Sequence, residues 1–539
     1  MHPAHPRPHV GLAALCLLIA GCTEVIGKPV RFVITVHPIL PPSQADLFDD
    51  IDTLLVRTIE AGETLEEFTI EVARGTSPAI DGLSILPEGV AIELEGYAGS
   101  DLIARGISGP LTVGRREQVD VDIYVSALGE TATFDDLPAP SAGAAVVSDG
   151  AGTFYVFGGT DQDIEGDSVD AIQRWSLIPP NEGFDPVTVA GFPIVDTEWV
   201  SGLVGRAQAT ATLLAEGDHA DLGKILVTGG WEGYGASDTV TKQAFLFDPS
   251  AEPDLAIELL DDLNLEHADH EAVALGSGDV VIFGGYAWVD GVNQISGALR
   301  VEVYHPSERS FTKGDTLLDR PYIDGAAARL GDDAFYCGGI RWSSSTYGAF
   351  DDCLRVDRNA QTSVVSGPSQ LRGAGLLLPS MARLGSSAVL LTGGAEIDGL
   401  VSDSTSVPAS DAAYIYDGVS AAWQQATPMH VARAGHVSAA LPDGRVLVAG
   451  GAATIRTAGL LGEDLLACAE IYDPDDDTWT ELDPGCSSTD SVGSLPQGLF
   501  VPSVGVDPYY GVLVWGGHAD EGTAFAAQPT YALFTPFPG

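Results

Sequence analysis

Strand-like patterns run through the chain. Val119-Asp120-Val121-Asp122-Ile123-Tyr124-Val125 alternates strictly between apolar and polar, which predicts a strand with one buried face. Arg31 to Val36, Leu54 to Ile59, Phe68 to Val72 and Val90 to Leu94 are rich in β-formers and bounded by Pro, Gly and Asp. About six such strands with no helical period predict a small antiparallel β-sandwich over residues 30–128.

Beyond residue 130 the pattern changes to continuous apolar runs, each ending in a glycine pair. The pairs are Gly158-Gly159, Gly229-Gly230, Gly284-Gly285, Gly338-Gly339, Gly393-Gly394, Gly450-Gly451 and Gly516-Gly517. Successive pairs lie 71, 55, 54, 55, 57 and 66 residues apart, so a unit of one design recurs seven times. A strand-like segment precedes each run, often through a turn such as Leu441-Pro442-Asp443-Gly444. A second aromatic strand follows, as in Phe245-Leu246-Phe247-Asp248-Pro249, Tyr414-Ile415-Tyr416-Asp417 and Ile471-Tyr472-Asp473-Pro474, then a turn and Phe311, Trp423 or Trp479. Four strands per unit predict the blade of a β-propeller rather than a helical solenoid. Continuous apolar runs suit strands buried on both faces, and glycine supplies backbone room where neighbours crowd a sharp turn.

The unit resembles the kelch repeat. Its fullest copy runs from Arg433-Ala434-Gly435-His436 through Val446-Leu447-Val448-Ala449-Gly450-Gly451 to Tyr472 and Trp479. The resemblance covers residues 131–539 and implies a seven-bladed kelch-type β-propeller following the sandwich, an all-β protein throughout. The fourth unit departs from the pattern, with Leu354-Arg355-Val356-Asp357 where an aromatic belongs. The last unit ends before an outer strand, whereas residues 131–138 have the form of one: Thr131-Ala132-Thr133-Phe134 compares with Thr478-Trp479-Thr480-Glu481. They are expected to close the last blade and remove an open edge.

The amino terminus has a different character. Arg7 precedes an apolar stretch from Val10 to Ala20, too short for a stable span, and the ending Leu18-Ile19-Ala20-Gly21-Cys22 resembles a bacterial lipoprotein cleavage site. Residues 1–21 are expected to be a lipoprotein signal peptide, Cys22 the lipidated residue and 22–29 a tether. Thr23 after the cysteine resembles the pattern for passage to the outer membrane. The expected address is therefore the cell envelope, lipid-anchored at the outer membrane or cell surface. Of the other cysteines, Cys337 and Cys353 are 16 residues apart, and Cys468 and Cys486 are 18 apart. That spacing suits two local disulfides in an oxidising compartment, with buried thiols as the alternative and no Cys-x-x-Cys to favour zinc.

Composition narrows the function. The chain has 539 residues, enough for two to four domains, and a net charge of −51 from 76 acidic and 25 basic residues. Binding to nucleic acid is excluded, because it needs clustered Lys and Arg. Neither a Gly-x-Ser-x-Gly elbow nor a phosphate loop occurs, so no catalytic residue is assigned and an enzyme is the less favoured reading. Kelch-type propellers include carbohydrate oxidases and sialic acid mutarotases, but neither active site maps onto residues here.

The loops after the glycine pairs are expected at one end of the ring. They carry Trp231, Tyr234, Tyr286, Trp288, Trp342 and Tyr347 among many carboxylates, which suits a face that stacks sugars or grips a cationic partner. Packing of these aromatics on neighbouring blades is the competing reading. Asp473-Pro474-Asp475-Asp476-Asp477 resembles a calcium loop but lacks its glycine and final Glu, so no cofactor is assigned and Ca2+ stands as an option. His270 aligns with His436, which points to a place in the repeat rather than a metal or catalytic role. The expected function is binding of a polysaccharide or protein partner at the cell envelope, with contact to the membrane only through the lipid anchor. The alternatives are a carbohydrate-active enzyme and a structural envelope component.

Overall fold

A computed structural model describes residues 31–39, 50–60, 63–73, 79–80, 90–108, 118–133, 142–160, 172–176, 187–189 and, with short gaps, 206–535. The protein is all-β. Among the described residues there is no α-helix, and no helix is long and apolar enough to cross a membrane. The chain forms two compact units, the first reaching Val125 and the second beginning in earnest at Ser126.

The first unit holds one seven-stranded sheet. Its strand order is Glu63–Glu71, Thr53–Glu60, Ala91–Ala98, Asp101–Ile107, Gln118–Ala127, Arg31–Ile39 and Ala79–Ile80. Among the described residues all seven strands join in one hydrogen-bonded sheet. Strand period two divides its faces: Val56, Ile92 and Leu94 are buried apolar residues, while Arg57, Glu93 and Glu95 alternate with them. Arg57 binds Glu67 at 2.7 Å and Glu95 at 2.8 Å, and Arg105 pairs with Glu93. These are cross-strand neighbours, so the polar face is tied by charge as the other is by burial.

The second unit contains seven four-stranded antiparallel sheets. Six are built in chain order. The second, for example, runs Thr210–Leu213, Ile225–Thr228, Ala244–Phe247, Ile257–Leu259, and the sixth runs Val437–Ala440, Val446–Ala449, Ala469–Asp473, Thr478–Glu481. The seventh joins Ser503–Asp507, Gly511–Trp515 and Tyr531–Thr535 to Glu130–Thr133, a strand that precedes all the others in sequence. There Thr133 faces Ala532 and Glu130 faces Thr535. Residues 134–138, the rest of the expected closing strand, lie outside the described residues.

The second strand of each sheet is almost wholly buried, as in Ile225–Thr228 and Val446–Ala449, which explains its unbroken apolar character. Apolar clusters bridge successive sheets: Val281, Phe283 and Val303 of the third meet Tyr336, Leu354 and Val356 of the fourth. Aromatic pairs clip the third strand to the fourth, with ring centroids 5.0 Å apart in Tyr304–Phe311, Tyr416–Trp423 and Tyr472–Trp479. The fourth sheet lacks such a pair. It carries instead the disulfide Cys337–Cys353 directly across its second and third strands.

The glycine pairs make the joint between sheets. Gly229 has φ +60°, and a Cβ there would overlap the carbonyl oxygen of His267; Gly230, at φ +105°, donates its N–H to that same oxygen at 2.7 Å. The arrangement repeats from Gly159 to Arg206, Gly285 to Tyr322, Gly339 to Leu376, Gly394 to Arg433 and Gly451 to Leu499, at 2.7–2.9 Å. A side chain at the first position would push the neighbouring sheet away. First strands also touch in chain order, from Ala145–Ser148 through Thr210–Leu213 and onward, and Ser503–Asp507 of the seventh sheet lies against Ala145–Ser148 of the first. Ser148 Oγ donates to Asp507 Oδ2 at 2.7 Å across that last contact.

Candidate functional site

One or two residues before each first strand the backbone turns into the left-handed region. The positions are Gly143, Gln208, Asp269, Asp324, Leu378, Gly435 and Val501, with φ between +49° and +63°. Five of them are not glycine, and in Val501 such a conformation is strongly disfavoured. Hydrogen bonds between sheets hold it: Gln208 N donates to Gly143 O (2.7 Å), Asp269 N to Gln208 O (2.9 Å), Leu378 N to Asp324 O (3.1 Å), Gly435 N to Leu378 O (2.9 Å) and Val501 N to Gly435 O (2.8 Å). Backbone strain of this kind is retained where the surroundings over-determine it.

This chain of turns separates two cavities. Above it, a basin of about 260 Å³ is walled by Trp231, Tyr286, Leu378 and Phe500, with contributions from Thr160, Leu460, Leu461 and His518. Thr160, Trp231, Tyr286 and His518 stand directly after glycine pairs or in the hairpins that follow them, so those loops meet at one end of the unit. Below it, a channel of about 390 Å³ is lined by first strands, including Glu271, Tyr336, His270 and His436. Asp269 and Asp324 line both.

No lysine or arginine is among the described residues lining either cavity. Asp269, Glu271 and Asp324 are half-buried and line these cavities. Burial pushes the Asp269 carboxyl up to about 6. Burial, then the charge of Asp269, pushes Glu271 up to about 7. The same two causes carry Asp324 well above the usual carboxylate range. Asp324 Oδ2 is buried and has no hydrogen-bond partner among the described residues. Tyr336 is driven upward by burial and by these acids, and its hydroxyl accepts from Gly325 N at 2.7 Å.

The histidines are structural. His270 Nε2 bonds Thr228 Oγ1 at 2.9 Å, His436 Nε2 bonds Thr392 Oγ1 at 2.9 Å, and burial holds both rings neutral. His267, Arg206 and Arg433 occupy one repeated position, each serving the carbonyl of the first glycine of its own sheet: Gly284 at 3.0 Å, Gly229 at 3.1 Å and Gly450 at 2.9 Å.

Of the aromatics expected at the loop end, Trp231 and Tyr286 come together, with ring centroids 5.9 Å apart and planes at 48°, on the basin wall. Tyr347 is half-buried and packs on an apolar cluster containing Ile340, Leu377 and Ile397, which is the covering role. Trp288 and Trp342 belong to the hairpin strands Tyr286–Val289 and Ile340–Ser343. Tyr234, Cys22 and the side chains of Trp288 and Trp342 lie outside the described residues. Cys468 and Cys486 form a second disulfide. The acidic run at Asp473 is a tight turn: Asp475 N donates to Asp473 Oδ1, and Asp477 Oδ1 accepts from Thr427 N and Tyr472 Oη. No cluster of three or more His, Cys, Asp or Glu suited to a metal occurs among the described residues.

The sequence reading missed Asp269, Glu271 and Asp324 as a group. Setting the seven units in register on their glycine pairs and reading the turn before each first strand would have exposed the two aspartates.

No protein-family model and no curated protein matches this chain. The solved structure of YjhT aligns over 65% of this chain and 99% of its own, with 14% identity and a TM-score of 0.44. A likeness at that level carries no argument about function.

Proposed function

We propose that this chain is a lipid-anchored extracytoplasmic binding protein whose second unit is a seven-bladed β-propeller of kelch type, using its loop-end basin to bind a polysaccharide or protein partner at the cell envelope. Seven four-stranded sheets whose first strands follow one another in chain order, with the seventh beside the first, support the propeller. The binding reading rests on one observation above all. Loops from several sheets form a concave, aromatic-walled space with a few polar groups, the usual form of a ligand site. Lipid attachment at Cys22 and an outer-membrane address rest on the sequence.

A screen of the mature protein against envelope polysaccharides tests this. Binding that weakens at least tenfold in Tyr286→Ala is expected; absence of any glycan or envelope-protein ligand would remove the binding role. The neighbouring raised carboxyls favour a second reading, an enzyme acting on carbohydrate with Glu271 or Asp324 as proton donor. Its activity would fall as pH rises through about 7 and be lost in Glu271→Gln.

A further inference from the structure

The basin floor is chemically one-sided. Asp269 and Asp324 stand on neighbouring sheets at equivalent turns and line the same basin; Glu271 lines the channel below. Among the described residues no basic side chain other than His518 lines the basin, and the whole chain carries a net charge of −51. Asp324 Oδ2 is buried and has no hydrogen-bond partner among the described residues. A buried acceptor without a donor is costly, and two acids sharing a site repel as soon as both ionise. A donor bearing positive charge relieves both penalties at once. The wall beside it is Trp231 and Tyr286, whose faces suit the C–H surface of a ring and favour a nearby cation. The volume of about 260 Å³ is at the small end for ligand sites and admits one ring-sized group.

We infer that the basin binds an amino sugar carrying a free, protonated amine, with the ammonium between Asp269 and Asp324 and the ring against Trp231 and Tyr286. This rests on the polysaccharide-binding reading above and names the charge class of its ligand. A bound ammonium draws the carboxyls into their ionised form, so binding releases protons at a pH where the free amine is already protonated. The groups that can titrate around the site are Asp269, Asp324, Glu271, Tyr336, His270, His436 and His518; burial keeps His270 and His436 neutral, and loss of proton release in the Asp324→Asn and Asp269→Asn variants separates the acids from His518.

Two trimers that differ only in acetylation provide the test: glucosamine trimer and N-acetylglucosamine trimer, titrated calorimetrically into the mature protein at pH 5.5, where the amine is already protonated, in buffers of different ionisation heat. The amine-bearing trimer should bind at least tenfold more tightly and release protons, with affinity rising from pH 4.5 to 6. Asp324→Asn and Asp269→Asn should each cost tenfold or more. Both wild-type arms, charge selectivity and proton release, stand without any variant. Equal affinity for the two trimers, no binding of the glucosamine trimer at millimolar concentration, or unchanged affinity in both folded Asn variants would overturn the inference. If the acetylated trimer binds equally and Tyr286→Ala weakens it, polysaccharide binding survives and the ammonium site does not.

Discussion

Gly385 and Gly393 hold nearly the same backbone conformation, φ +55° and +56°, and differ in what surrounds them. An added Cβ at Gly385 meets nothing within 4 Å, whereas at Gly393 it overlaps the carbonyl oxygen of Arg433 on the next sheet. Gly385→Ala is therefore expected to cost only the left-handed penalty, about 1 kcal/mol. Gly393→Ala adds a clash with rigid backbone and disturbs the Gly394–Arg433 hydrogen bond, for about 3 kcal/mol more. Urea unfolding of the pair measures the difference; similar midpoints would refute the account of the joint. The doubled glycines were legible in the sequence because crowding leaves a compositional trace. The strained turns were not. Asp269 and Asp324 are ordinary loop residues until sheets 55 positions apart are set side by side, and their repulsion is a property of that juxtaposition.

Among the elements, Glu130–Thr133 has the clearest separable role. It pairs with Tyr531–Thr535 and occupies the edge that the seventh sheet would otherwise expose. Deleting residues 130–133 should raise hydrogen exchange in Gly511–Trp515 and Tyr531–Thr535 while leaving Ala388–Thr392 as before. Exchange that stays the same in the seventh sheet would show that the strand seals nothing. This pairing could be read from sequence because Thr131-Ala132-Thr133 copies the form of the outer strand in other units. The first unit was harder. Alternation in Val119–Val125 marks a buried face but carries no information about pairing, so one sheet of seven strands and a two-sheet sandwich look alike until hydrogen bonds are seen. Its charged face, with Arg57 between Glu67 and Glu95, arises from residues that are 10 and 38 positions apart in the chain.

At the scale of the molecule, charge sets the conditions for stability. A net charge of −51 repels itself within a compact body, and salt screens such repulsion over about 10 Å at 0.1 M. The melting midpoint should rise by several degrees between about 20 mM and 500 mM sodium chloride, levelling once the screening length falls below the spacing of surface charges. A midpoint that fell across that range would mean that ion pairs such as Arg309 with Asp221 and Glu258 outweigh the net repulsion.

The joint between sheets also says where this protein is free to grow. The repeated bond from a glycine N–H to a carbonyl of the next sheet is made just ahead of that neighbour's first strand. The turns between third and fourth strands take no part in that backbone bond and reach a neighbouring sheet through side chains, as Arg358 does to Asp279 at 2.9 Å. Val419, in the turn between the third and fourth strands of the fifth sheet, is 83% exposed, so a peptide grafted between Val419 and Ser420 would be carried as cargo rather than felt as strain.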